Sequence, residues 1–293
     1  MRVTDRLMFE RSTRDLGRAR SALDAARDAV TTGRRVSHPG DDPAAAGAVA
    51  ALGISSRRAE ALARSAEAAV GELDAADAAL GTVSNVLARA QELAVQFSND
   101  TYTADQRAAG ALEVEALFGT AVAALNARHA NRYVFGGFAD GAAPFDAAGT
   151  YLGGGVRQLE LAPGVLQATS VRADVAIKGA GGGADVLATL AALRTALATN
   201  DAAAIRGSLG DLDRSVTQVS TGRAEVGVMM SALDAASAAG RLAADAEKAA
   251  LARLSETDLV DGAIRLAQAQ HALEASMAAT SKSLELSLLD HLR

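Results

Sequence analysis

The chain of 293 residues contains no cysteine and carries a formal net charge of -6. Without cysteine it can form neither a disulfide framework nor a thiolate metal site, and the acidic balance argues against nucleic acid or an anionic membrane as a partner. Alanine supplies about a quarter of the residues and aromatics only 3%. Because alanine favours helices but buries little area, this composition predicts long helices with thin interfaces. A compact all-β domain and a large doubly wound enzyme both fit poorly.

The N-terminus lacks the apolar segment of a secretory signal peptide, since residues 1–6 read MRVTDR. No apolar run approaches the roughly 18 uncharged residues of a membrane helix. The sequence therefore predicts a protein that stays in the cytoplasm or leaves by a route that does not use such a signal.

The first predicted helix carries an apolar residue at every seventh position, with alanine or serine three residues after most of them. This spacing is the a/d seam of a coiled coil. The seven-residue row consists of Phe9, Leu16, Leu23 and Val30.

A loop over residues 32–43 follows, and we expect it to contain a turn motif of Gly33, Asp41, Asp42 and Pro43. Asp42 is predicted to cap the next helix, because its carboxylate can accept from the free N–H groups of the first turn. Pro43 fits the first helical position, where its missing N–H costs nothing.

The next helix is predicted to be very long, since a heptad seam continues to Phe97 without an internal proline. Residues 98–101 break it. Another helix is expected to begin after Thr103, with Gln106 completing a capping box, and to run to about Asn131.

From Arg132 to about Gly183 the helical spacing disappears and glycine becomes frequent. Alternating stretches at residues 156–161, 165–171 and 175–177 predict strands of a small β-rich insert. Eight of the nine aromatic residues lie between Phe97 and Tyr151, so the middle of the chain should hold the densest core.

Helical character resumes at Asp185 and continues to the end of the chain. We expect a cap at residues 200–201 between two shorter helices, a longer helix over residues 223–253, and a final helix capped by Ser255 with Asp258 three residues on. The final helix carries Leu259, Leu266 and Leu273 seven residues apart, with Ala263, Gln270, Met277 and Leu284 as the companion row.

These elements predict a mainly α protein with a β-rich insert: a long antiparallel helical rod or coiled coil formed by both chain ends, and a small outer β domain between them. Residues 1–42 and 256–293 would form a terminal coiled-coil region for assembly. Residues 43–131 and 185–255 would form a helical rod, and residues 132–184 the glycine-rich outer domain.

The sequence offers no constellation of catalytic residues. None of the four histidines belongs to a metal-ligand pattern, and the glycine run over residues 179–184 lacks the GK[ST] ending of a phosphate loop, which favours a linker. We therefore predict no enzyme, no cofactor and no metal. The terminal heptads have two explanations: packing inside one domain, or polymerisation. Their small companion residues favour polymerisation.

Several segments resemble the bacterial flagellin superfamily: TGRRV at residues 32–36 with DDPAA at 41–45, QELAVQ at 91–96 and LELSLL at 284–289. Within that superfamily, NRYVFGGF at residues 131–138 is similar to the hook-associated protein 3 family, the hook–filament junction branch. A short flagellin that forms the bulk filament is the alternative.

The resemblance implies a structural protein exported by the flagellar type III apparatus to the extracellular flagellum. It also implies self-assembly into a ring, contacts with hook-associated protein 1 and flagellin, and an export chaperone on the C-terminal helix. Subunit packing would involve these residues of the two ends: Phe9, Leu16, Leu23, Val30, Leu259, Leu266, Leu273, Met277 and Leu284.

Overall fold

The computed structural model describes residues 2–291, and the side chains of residue 7 and residues 9–282 among them. It confirms a mainly α fold with small two-stranded sheets. The elements are α1 Arg2–Thr32, α2 Pro43–Phe97, α3 Ala104–Leu125, β1 Arg128–His129, β2 Arg132–Tyr133, β3 Gln158–Ala162, β4 Val165–Ala168, α4 Ala173–Ala176, α5 Val186–Ala198, α6 Ala202–Ser255 and α7 Leu259–His291.

The chain divides into two compact units. The terminal unit comprises Met1–Ala59 with Leu242–Arg293, and the central unit comprises Glu60–Arg241. Their boundaries fall inside α2 and α6 rather than in loops. The three regions predicted from the sequence are bounded by changes in composition, whereas these two units are bounded by contacts within the fold. The predicted division into three regions therefore stays a prediction.

The central unit holds the large buried side chains, as the distribution of aromatics predicts. Helices α3 and α5 pack against each other, and Phe135 and Phe145 are fully buried beside them. The leucines of α2 and α5 complete this core; the fully buried ones are Leu73, Leu80, Leu87, Leu93, Leu187, Leu190, Leu193 and Leu197.

Helix α3 begins as predicted, with a capping box between Thr103 and Gln106. It ends at Leu125, however, and not near residue 131. The β1–β2 hairpin that follows explains the early end: Ala130 and Asn131 have φ 44° and 72°, values that a helix does not allow and that a two-residue hairpin turn requires. At the end of α3, the Asn126 amide donates to the Phe145 carbonyl (2.9 Å) and accepts from the Phe145 N–H (3.0 Å).

Helix α3 is long and apolar enough, by length and composition, to cross a membrane. Its contacts are those of a core helix. Val114 and Phe118 are buried in the central unit, while Glu113 and Glu115 pair with arginines of α2 and α5.

A buried arginine, Arg107, makes hydrogen bonds to both the α2–α3 connection and the α5–α6 connection of the central unit. Its guanidinium donates to the carbonyls of Phe97 (3.1 Å) and Asn99 (2.9 Å), which belong to the α2–α3 connection. It also donates to the Asn200 side chain (2.5 Å), in the α5–α6 connection. Asn200 adopts a left-handed backbone conformation with φ 55°.

The β-rich insert follows the prediction in part. Strands β3 and β4 form an antiparallel hairpin, as expected from residues 156–161 and 165–171. The third predicted strand, residues 175–177, is wrong: it lies in and just after the short helix α4. Ala176 and Ile177 are buried in the core. A short apolar run of this kind cannot be told from a strand by its sequence pattern, whether it lies in a strand or in a single turn of helix.

The C-terminal half differs from the prediction at two helix boundaries. Helix α6 begins after Asp201 and continues without interruption to Ser255, so the predicted break before residue 223 is wrong. Its continuity comes from a fully buried row at seven-residue spacing: Ile205, Leu212, Val219, Val226 and Leu233.

The final helix is capped differently from the prediction. The Asp258 carboxylate accepts from the Val260 N–H at 2.8 Å. Ser255, the predicted cap, is the last residue of α6, and its hydroxyl donates to the Leu251 carbonyl. Asp258 alone therefore begins α7.

Candidate functional site: the paired terminal helices and their turn

Helices α1 and α7 pack against each other within the terminal unit. The hydroxyls of Ser12 and Thr280 lie 2.7 Å apart. Near the other end of α1, Val30 lies beside Gly262. A residue early in α1 thus meets one late in α7, and the reverse also holds, so the helices run antiparallel.

Five of the predicted packing residues lie in this pair of helices with half-buried side chains: Leu16, Leu23, Val30, Leu266 and Leu273. Three others stay largely exposed in the single chain: Phe9 at 55%, Leu259 at 62% and Met277 at 49%. The side chain of Leu284 lies outside the described residues. The role of all nine in packing between subunits stays a prediction.

The companion row on α7 is displaced by one residue from the predicted one. Ala263, Gln270 and Met277 are exposed, whereas Gly262 is buried and Ala269 and Ser276 are half-buried. The reason is close approach: a Cβ on Gly262 would lie 3.1 Å from Val30 Cγ2. Small side chains let the two backbones come together there, at the expense of apolar area in the seam.

Small residues also leave a groove of about 500 Å³ beside the seam. Alanines of both helices form its floor, including Ala22, Ala26 and Ala269, and Arg265 stands at its edge. The groove is open to solvent, so part of the alanine surface of both helices stays uncovered within one chain.

The turn after α1 is held by backbone hydrogen bonds to the segment between α6 and α7. Gly33 has φ 68°, a conformation that suits glycine, and its carbonyl accepts from the Thr257 N–H at 2.9 Å. The Arg35 N–H donates to the Ser255 carbonyl at 2.7 Å. Val36, the next residue, is buried.

The two adjacent aspartates have separate roles in the turn. The Asp41 carboxylate accepts from the N–H groups of His38 (2.7 Å) and Ser37 (2.9 Å). These two bonds hold the pKa of Asp41 below its usual value. Asp42 accepts from the Ala45 N–H at 3.0 Å, so the predicted cap of α2, with Pro43 at the first helical position, is confirmed.

Arg35 is a member of this turn that sequence reasoning missed. Its guanidinium pairs with the Asp42 carboxylate at 3.1 Å and donates to the Leu254 carbonyl at 3.0 Å. After the Ala45 bond, the Arg35 bond is the second cause that lowers the pKa of Asp42. The spacing of seven residues between the arginine and the cap was the signal available in the sequence.

The other candidate site, the glycine run, is a closed loop between α4 and α5. Four of its six N–H groups donate to protein acceptors; for example, Ala180 donates to the Asp174 carbonyl at 2.8 Å and Ala184 to the Gln218 side chain at 2.9 Å. A phosphate cradle needs such groups free. Among the described side chains, those of residue 7 and residues 9–282, no three histidines, aspartates or glutamates cluster as metal ligands.

Comparison with known proteins shows similarity to proteins of the bacterial flagellum. Residues 7–137 match the family model of the bacterial flagellin N-terminal helical region. The chain is 27% identical to flagellar hook-associated protein 3 of Salmonella typhimurium, over 94% of this chain and 95% of that protein.

Solved structures show the same fold. A flagellar hook-associated protein from Vibrio parahaemolyticus superposes with a TM-score of 0.66 at 20% identity, covering 74% of this chain and 100% of that one. Hook-associated protein 3 from Legionella pneumophila superposes with a TM-score of 0.59 at 14% identity, covering 70% and 98%.

Proposed function

We propose that the chain is a flagellin-like protein and a structural adaptor of the bacterial flagellum, which joins the hook side to the flagellin filament. The similarity to hook-associated protein 3 extends over nearly the whole of both chains. That full-length similarity favours the junction adaptor over a short flagellin that forms the bulk filament.

The observation that carries the proposal is the partly uncovered pair of terminal helices. The seam residues Leu16 and Leu266 are only half-buried, and Phe9, Leu259 and Met277 present apolar surface to solvent. Helices with so little buried area gain stability from further neighbours. Neighbouring copies of the same helices would cover these side chains in a ring of subunits.

The proposal extends to partners and location. The adaptor would seat on hook-associated protein 1 and present a surface to flagellin, in the extracellular flagellum. It would leave the cell through the flagellar type III apparatus, with a chaperone holding α7 beforehand. Its role would be structural rather than enzymatic, with no resident cofactor.

Immunogold labelling of isolated flagella tests the proposal. An antibody against the exposed β3–β4 hairpin should decorate one zone at the base of each filament. An antibody against the same cell's flagellin, used in parallel, should decorate the filament along its length. Decoration of the whole filament by the first antibody would identify a flagellin instead, and labelling of no part of the flagellum would contradict a flagellar role.

A further inference from the structure

A cleft of about 450 Å³ opens in the central unit. Ala68 and Ala69 of α2 form its floor, and the hairpins β1–β2 and β3–β4 contribute its walls. The volume falls in the range of small-ligand pockets. The assembly role proposed above makes no use of this cleft.

An aromatic ring at the cleft is exposed and yet fixed in place. Phe138 is 72% exposed, and its N–H donates to the Gly154 carbonyl at 2.8 Å. A Cβ on Gly155, which has φ 77°, would overlap the Phe138 ring. The ring thus lies directly over backbone, where only glycine fits, and presents its other face to solvent.

Three neutral polar side chains of the cleft are without a hydrogen-bond partner among the described residues, while its charged side chains are paired with one another or with Asp140. Gln158, Thr169 and His129 line the cleft, and their side chains make no hydrogen bond in the part of the chain that the structure describes. Two arginines also line the cleft, and each is balanced by an acidic group. Arg157 pairs with Glu72 and with Asp140, although its buried Nε has no hydrogen-bond partner among the described residues, and the more exposed Arg132 pairs with Asp140 at 3.7 Å. The cleft therefore offers neutral donors and acceptors beside an aromatic face.

We propose that this cleft, the Phe138 cleft, binds a neutral oligosaccharide. A sugar ring has an apolar face of C–H groups, which would stack on the Phe138 ring, and hydroxyls at its edge, which match the amide of Gln158 and the hydroxyl of Thr169. A peptide anchored by apolar side chains fits less well, because Leu159, the other large apolar residue of the lining, is already packed on the core.

Saturation-transfer NMR on the full chain tests this binding site, with maltotriose, cellotriose and tri-N-acetylchitotriose as probes. At least one trisaccharide should receive saturation from the protein. Phe138→Ala should weaken its binding about tenfold, since stacking on the ring is lost, and Gln158→Ala should weaken it less. Leu152→Ala is the matched control, because Leu152 is also exposed (62%) and does not line the cleft. Circular dichroism confirms that each variant is folded.

Three results would overturn the inference. One is the absence of saturation transfer to all three trisaccharides. Another is unchanged binding by Phe138→Ala. The third is a shift of the Phe138 resonances with protein concentration alone, which would show that a second copy of the chain covers the ring. None of these results bears on the flagellar role.

Discussion

At residue 110, helix α3 approaches the end of α2 so closely that no side chain fits between them. A Cβ on Gly110 would overlap the ring of Phe97, which is itself buried and in edge contact with Tyr102 at 5.1 Å between ring centroids. Close approach thus explains a glycine inside a helix, where glycine is otherwise unfavourable.

Gly110→Ala should therefore destabilise the protein by roughly 1–3 kcal/mol, the usual cost of overpacking a core. Gly119→Ala, on the same helix, is the matched control, since nothing lies within 4 Å of its added Cβ. That variant should be more stable by about 0.5–1 kcal/mol, because alanine favours the helix. Urea denaturation followed by circular dichroism measures both changes, and equal effects of the two substitutions would refute the close approach.

The carboxylate of Asp42 makes the turn sensitive to acid. Its pKa is lowered by the Ala45 N–H and by Arg35, so its contribution to stability is present above the unfolded-state pKa of about 3.9 and is lost as the pH falls through the lower folded-state pKa. Asp42→Asn retains a capping side chain but loses the charge. The melting temperature of this variant should lie below that of the parent at pH 7, and the two should converge in acid. A gap that does not narrow as the pH falls below about 3.9 would contradict this assignment.

At the scale of elements, helices were predicted well where both a cap and a heptad row were visible. Thr103 with Gln106, and Asp42 with Pro43, gave the beginnings of α3 and α2 correctly. The split of α6 was wrong because small polar residues beside the buried row, such as Ser208 and Ser215, resemble a helix end in sequence.

The displaced row on α7 has a different cause. Sequence hydrophobicity favours Met277 over Ser276 as a packing residue, but an interface between close helices selects small side chains. Which small residues lie inside depends on the partner helix, and a single helix does not contain that information. The long-range contacts of the turn, such as Arg35 with Leu254, escape sequence reasoning for the same reason.

A charge placed in the seam tests this register. Leu266→Asp should abolish assembly, because it puts an ionised group into an apolar interface, while the central unit keeps its helicity. Ala263→Asp introduces the same charge three residues earlier on an exposed position, and should leave the α1–α7 pair intact. Electron microscopy of flagella from complemented deletion strains scores assembly, and circular dichroism scores folding. Normal assembly of Leu266→Asp would show that the seam is misplaced.

For the whole molecule, the contrast between the two units predicts unequal resistance to protease. The described side chains of α1 include no fully buried residue, whereas the central unit contains a dense core. Elements with little burial open locally at low free-energy cost. Trypsin should therefore cut dilute protein first at Arg14, Arg20 and Arg265, as mass spectrometry of early fragments would reveal. Earlier cleavage inside Glu60–Arg241 would reverse the assignment of stability.

The guanidinium of Arg107 also sets an order of events for a chain that emerges with its N-terminus first. Helices α2 and α3 are neighbours in sequence and can pair as soon as both are out. The α2–α3 connection is nevertheless incomplete until Asn200 arrives, because Asn200 lies 93 residues beyond Arg107. Until then the buried cation lacks one of its three acceptors, and the hairpin remains reversible. The central unit is therefore complete only when the α5–α6 connection has formed, and not when the α2–α3 connection has.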